Sequence, residues 1–138
     1  MYVRDLMTAE VVAAERKDNL AEAYEVMLDR GFRHLPVVDG DGELVGVLSQ
    51  RDIAARLGRN ARADVLSQTH ALEAQRVEQA MTAVVDTVDP DDPLATAAEM
   101  LLEQKISCLP VVEGTRLVGI LTEADFVRLV LDQLEGRR

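Results

Sequence analysis

Residues 33–53 read RHLPVVDGDGELVGVLSQRDI, and residues 107–126 read SCLPVVEGTRLVGILTEADF. The second stretch is a near copy of the first. Pro36 and Pro110 stand 74 residues apart, and the same offset relates Met7-Thr8 to Met81-Thr82, Asp18 to Asp92 and Leu20 to Leu94. Beyond the LPVV run the second copy is one residue shorter, so Gly46 answers to Gly119 and Asp52 to Asp125 at an offset of 73. The missing residue falls in DGDGE against EGTR, where a hairpin turn tolerates a change of length.

Working outward, each copy opens on a short extended run, MTAEVVAAE or MTAVVDTVD. A helix follows. Leu20, Ala23, Tyr24, Met27 and Leu28 keep the i, i+3, i+4, i+7, i+8 spacing, and Leu94, Ala97, Ala98, Leu101 and Leu102 repeat it. Asp92 before Pro93 reads as an N-cap followed by a first-turn proline. Next comes a hairpin of short, β-branched apolar strands, LPVV and then LVGVL or LVGIL, suited to burial on both faces. A second helix is expected from about Gln50 to Leu57 and from about Glu123 to Leu134.

Each copy is therefore β-α-β-β-α. A unit of roughly 50–60 residues buries too little surface alone. The expectation is an α/β (α+β) chain whose two repeats pack sheet to sheet as an intramolecular pseudo-dimer. Repeat one is bounded as residues 1–60, a joining segment as 61–76 and repeat two as 77–138. The stretch around that joint, 58–80, is polar and Ala-rich without proline, so it is expected to be helical. The tail EGRR is expected to fray.

Totals narrow the function. The chain has 138 residues, 48% of them hydrophobic, with a mean hydropathy of −0.01. No apolar run approaches the ~18 residues of a membrane span. The acidic N-terminal stretch MYVRDLMTAE lacks the apolar core of a signal peptide. One cysteine, Cys108, excludes an internal disulfide and fits a reducing cytoplasm. Net charge is −10, from 25 acids against 15 bases, which argues against a general nucleic-acid binder. Aromatics at 3% are too few to stack bases on several rings.

The chemistry concentrates at GVLSQRDI and GILTEADF, where a hydroxyl ends the strand and an aspartate follows three residues on: Ser49 with Asp52, Thr122 with Asp125. On spacing alone this is a capping box, the hydroxyl accepting from a first-turn N–H and the acid answering back. The same parts suit a ligand. A helix N-terminus offers donors to a phosphate, and a carboxylate accepts from two vicinal hydroxyls, as on ribose. Gly46 and Gly119 would let another group approach the strand closely.

MT…V, the amphipathic helix, (R/S)(H/C)LPVV, LVG(V/I)L and (S/T)xxD, in order and twice, resemble a tandem pair of cystathionine β-synthase (CBS) domains, a Bateman module. The resemblance covers all but the joining segment and the tail. It implies two clefts between the repeats that take adenosyl ligands: AMP, ADP, ATP, S-adenosylmethionine or cyclic dinucleotides. It further implies that each hydroxyl and aspartate share a cleft with strand residues of the other repeat. Ser49 and Asp52 would meet Val84, Val85, Ile106, Ser107 and Pro110. Thr122 and Asp125 would meet Val11, Val12, Phe32, Arg33, His34 and Pro36. Arg51, inside the first motif, answers to Ala124. Arg33 and His34 would make the Thr122/Asp125 cleft the tighter nucleotide site.

Other residues read more plainly. His34 is a strand-edge residue rather than a metal ligand, and His70 a surface residue. Cys108, the counterpart of His34, is a half-buried strand position with no base to activate it. Asp89, Asp91 and Asp92 form a turn and helix cap, not a calcium loop. Arg56, Arg59 and Arg62 make a solvated stripe. Nothing supplies a catalytic nucleophile–base pair, a metal cluster or a glycine-rich phosphate loop, so no enzyme, catalytic cofactor or metal is expected. The expectation is a regulatory module that senses an adenosyl ligand and signals to an effector protein. A structural module with empty clefts is the alternative. A homodimer, a disc of four repeats, is expected by resemblance. Phe126, Leu129, Val130 and Leu134 would offer one apolar face for it.

Overall fold

The computed structural model describes residues 1–57 and 65–136. Residues 58–64 of the joining segment, with Arg59 and Arg62, and the last two residues of the tail lie outside them. In chain order the elements are α1 (Val3–Leu6), β1 (Ala14–Glu15), α2 (Leu20–Arg30), β2 (His34–Val38), β3 (Leu44–Ser49), α3 (Gln50–Arg56), α4 (Val65–Glu73), α5 (Val77–Ala80), α6 (Leu94–Gln104), β4 (Cys108–Glu113), β5 (Arg116–Thr122) and α7 (Glu123–Leu134). The fold is mixed α/β, with two small sheets and helices. It divides into two compact units: residues 12–85, and residues 1–11 together with 86–138.

In the unit 12–85, Asn19 starts α2 by accepting from the Ala21 N–H at 2.8 Å. Gly31 ends the helix at φ 71°, a left-handed position open to glycine without steric cost. Leu20, Ala23 and Met27 turn the buried face of α2 onto the sheet, whose order is β1-β2-β3. β1 runs parallel to β2; β2 and β3 are antiparallel, pairing His34 with Ser49, Leu35 with Leu48 and Pro36 with Val47. Helix α4, inside the joining segment, adds Leu72 to the core, and α5 adds Val77.

The other unit repeats this plan. Leu94, Ala97 and Leu101 of α6 pack with Leu109, Val111 and Leu121 of the β4–β5 hairpin. Val88 bridges Val111 in parallel, where the first unit has β1. Val3 of α1 fills the place that Val77 fills in the first unit. Lys105 occupies the left-handed end of α6 at φ 54°, answering to Gly31.

Two expectations need correction. Asp92 does not cap α6: the N-cap is Pro93, with ψ 137° and no side-chain cap bond. The Asp92 carboxylate is committed to the preceding turn, accepting from the Asp89 N–H at 2.9 Å. The opening runs are also not single strands. Only Ala14–Glu15 pair as a strand, whereas Met-Thr crosses to the far edge of a sheet. There Thr82 and Val47 exchange N–H···O=C bonds, both 2.9 Å, and Thr8 and Ile120 exchange bonds of 2.9 and 3.0 Å.

Each Met-Thr leader thus completes the sheet of the other sequence repeat. Met81-Thr82, at the head of the second copy, lies on β3 of the first copy. Met7-Thr8 lies on β5 of the second.

Candidate functional site

The two hydroxyl–acid motifs fold alike because each lies where a strand runs straight into a helix. Ser49 and Thr122 are the N-caps of α3 and α7, both in extended backbone. The Ser49 N–H donates to Asp52 Oδ2 at 2.9 Å, and the Asp52 N–H donates back to Ser49 Oγ at 3.0 Å. The Thr122 N–H donates to Asp125 Oδ2 at 2.8 Å, and Thr122 Oγ1 lies 3.3 Å from the same oxygen. The capping box closes reciprocally at Ser49 and Asp52, whereas at Thr122 the Asp125 carboxylate accepts from the N-cap backbone and the hydroxyl lies against that same oxygen rather than accepting from the helix. In each, the N-cap backbone uses Oδ2, so Oδ1 is the oxygen a further donor would meet.

The strand residues before LPVV lie against the motif of their own unit. The Gln50 N–H donates to the Arg33 carbonyl at 2.9 Å and its side-chain amide to the Phe32 carbonyl at 2.7 Å. His34 pairs with Ser49, as Cys108 pairs with Thr122. The Glu123 N–H reaches the Ser107 carbonyl at 3.3 Å.

These positions set the electrostatics. Burial lowers the pKa of His34; the Asp52 carboxylate opposes that shift and Arg33 adds to it. Burial, helped by the charge of Asp125, pushes the Cys108 thiol up to about 12. Cys108 is therefore a neutral strand residue and no nucleophile. Among the described residues no group of three or more His, Cys, Asp or Glu side chains could hold a metal ion.

The expected site residues divide between the units. Residues 12–85 hold Val12, Phe32, Arg33, His34, Pro36, Ser49, Arg51, Asp52, Val84 and Val85; the other unit holds Val11, Ile106, Ser107, Pro110, Thr122 and Asp125. Within the first unit Phe32, Arg33, Arg51 and Val84 are exposed, Val84 at 93%, and His34, Ser49 and Asp52 are half-buried. Pro36 and Pro110 are buried in their sheets, and Asp125 is only 5% exposed.

Two readings change. The space over Gly46 and Gly119 belongs to the chain itself: a β-carbon on Gly46 would stand 2.7 Å from the Thr82 carbonyl oxygen, and one on Gly119 would stand 2.6 Å from Met7 Sδ. The proposed apolar face of α7 is split. Phe126 and Leu129 pack on their own core, while Val130 and Leu134 are 52% and 81% exposed. Arg56 is exposed, and its side chain also donates to Gln75 Oε1 at 2.7 Å.

One residue escaped the sequence reading: Arg128, whose guanidinium forms an ion pair with Asp125 Oδ1. The i, i+3 spacing on one helix was the available signal.

The CBS domain family's sequence profile matches residues 3–59 and 77–132. A Vibrio cholerae protein provisionally named acetoin utilization protein (AcuB) superposes with a TM-score of 0.85 at 33% identity, over 98% of this chain and 93% of that one. The CBS domain pair of protein MJ0100, crystallised with 5′-methylthioadenosine and S-adenosyl-L-methionine, gives 0.80 at 30% identity, over 96% and 98%. CBSX2, crystallised with AMP, gives 0.80 at 31%, over 97% and 98%. Among curated sequences, a homoserine O-acetyltransferase of Methanohalobium evestigatum is 33% identical over 94% of this chain, which spans only 24% of that longer protein.

Proposed function

Because the chain belongs to the CBS domain family and carries two of its repeats, we propose that it is a regulatory module for an adenosyl ligand, AMP, ADP, ATP or S-adenosylmethionine. In this reading Asp52 and Asp125 accept from the ribose hydroxyls of the ligand. Ser49, Arg51 and Thr122 face the phosphate or its equivalent. Val84, Val85, Ile106, Ser107 and Pro110, and Val11, Val12, Phe32, Arg33, His34 and Pro36, are the further candidate contacts of this reading.

One observation carries this reading: the N-cap backbone holds each aspartate through Oδ2, which orients Oδ1 for another donor. At Asp125 that oxygen already holds a guanidinium. The ligand-bound structures of MJ0100 and CBSX2 support the adenosyl class.

The module works in the cytoplasm as a homodimer and passes its state to an effector protein. Only a ligand that binds two arrangements unequally can do this. The chain performs no catalysis of its own, and the acyl-transfer activity named for its longer relatives is not carried over.

A structural module with empty clefts is the competing reading, favoured by the capping box in which Ser49 and Asp52 satisfy each other. A thermal-shift panel of AMP, ADP, ATP, S-adenosylmethionine and cyclic di-AMP separates the two. A true ligand at a hundred times its dissociation constant adds about 2.7 kcal/mol of stability. A flat panel favours the structural module.

A further inference from the structure

The two motifs differ one turn into their helices. Asp125 is buried, its Oδ2 held by the Thr122 N–H and its Oδ1 by Arg128. At the matching position, 73 residues earlier, stands Ala55, which has no charge to offer Asp52. The Arg128 side chain is 63% exposed. Packing therefore does not fix it, and the guanidinium is held at Oδ1 chiefly by charge and hydrogen bonding. It occupies the oxygen that a sugar diol would need.

We infer that Arg128 is a charge-reading latch on the Thr122/Asp125 site. It pairs with Asp125 and transfers to a phosphate when the ligand carries one. The inference rests on the adenosyl-binding function proposed above. A ligand with a vicinal diol and a nearby phosphate replaces both halves of the ion pair: hydroxyls donate to Asp125, and the phosphate accepts from Arg128. A neutral nucleoside must break the pair and leaves the guanidinium without an anion. A sulfonium ligand brings a second positive charge beside it. The site therefore selects nucleoside phosphates over neutral or cationic adenosyl compounds. The motif that carries Ala55 lacks this filter.

Calorimetric titration of the full chain with AMP and with adenosine tests the latch. Asp52→Ala silences the other motif; Asp52→Asn, which keeps an acceptor for the N-cap, replaces it if the alanine variant does not fold. In this background AMP is expected to bind more tightly than adenosine. Arg128→Ala is expected to shrink the ratio on the order of tenfold, adenosine gaining and AMP losing, while Arg128→Lys retains part of it. A ratio indifferent to residue 128, with binding still lost in Asp125→Ala, overturns the latch alone. Failure of the unmodified chain to bind either compound overturns the adenosyl-binding reading and the latch with it.

Discussion

The Thr82 carbonyl oxygen accepts from the Val47 N–H at 2.9 Å and would lie 2.7 Å from a β-carbon placed on Gly46. The Met-Thr leader of the second sequence copy thus sits directly on the first copy's sheet, in a space that only glycine leaves open. Backbone cannot swing aside as a side-chain tip can. Gly46→Ala is expected to destabilise the fold by about 1–3 kcal/mol. At Gly119 the nearest atom is the flexible Met7 sulfur at 2.6 Å, with the Thr8 carbonyl oxygen at 3.1 Å, so Gly119→Ala should cost less. Urea midpoints of the two variants give the order, and equal midpoints would contradict it.

Lys105 holds a left-handed conformation at φ 54°, where its counterpart is Gly31 at φ 71°. A non-glycine residue there strains Cβ against backbone, while glycine costs more entropy on folding. The strain is the larger effect. Lys105→Gly is expected to raise stability by about 0.5–1 kcal/mol in chemical denaturation. A lowered midpoint would contradict this.

His34 supplies a pH dependence whose sign follows from its surroundings. Burial holds its folded pKa below the ordinary 6.5, so the neutral ring is the form the fold accepts. The unfolded chain then binds the proton more readily. This contribution is present above the unfolded value and is lost as pH falls through it toward the lower folded value. His34→Gln should flatten the loss of thermal stability across that window. An unchanged slope would show that other groups carry it.

Cys108, held near 12 by burial and by Asp125, is expected to resist alkylation at neutral pH in the folded chain. It should react promptly in denaturant. Stoichiometric modification of the native protein by a small thiol reagent would contradict the placement of Cys108 in β4 opposite Thr122.

Much of this fold was legible because its signals are local. LPVV, the glycine turn and LVGVL announce a hairpin within twenty-odd residues, and Ser49/Asp52 and Thr122/Asp125 announce their own caps. The leader exchange was not legible. Met81-Thr82 and Gly46 are joined by backbone bonds that leave no periodic pattern, and α1 and α5, four residues each, are too short to show one. Asp92 misled for a related reason: an aspartate before Pro-Leu fits a cap, but a turn closing on Asp89 used its carboxylate first. At the two motifs, the spacing announced that Asp52 and Asp125 accept from their own N-cap backbone. Arg128 was not legible, because an acid and a base three residues apart on one helix are common and need not pair.

The central claim is that Asp52 and Asp125 bind a sugar-bearing adenosyl ligand. The most direct measurement is calorimetric titration with AMP and with S-adenosylmethionine. It compares the unmodified chain with the Asp52→Ala/Asp125→Ala double variant, whose folding is verified by circular dichroism. Saturable binding of at least one ligand by the unmodified chain, abolished in the folded double variant, is the predicted result. Equal binding by both proteins, or none by the unmodified chain, would contradict it.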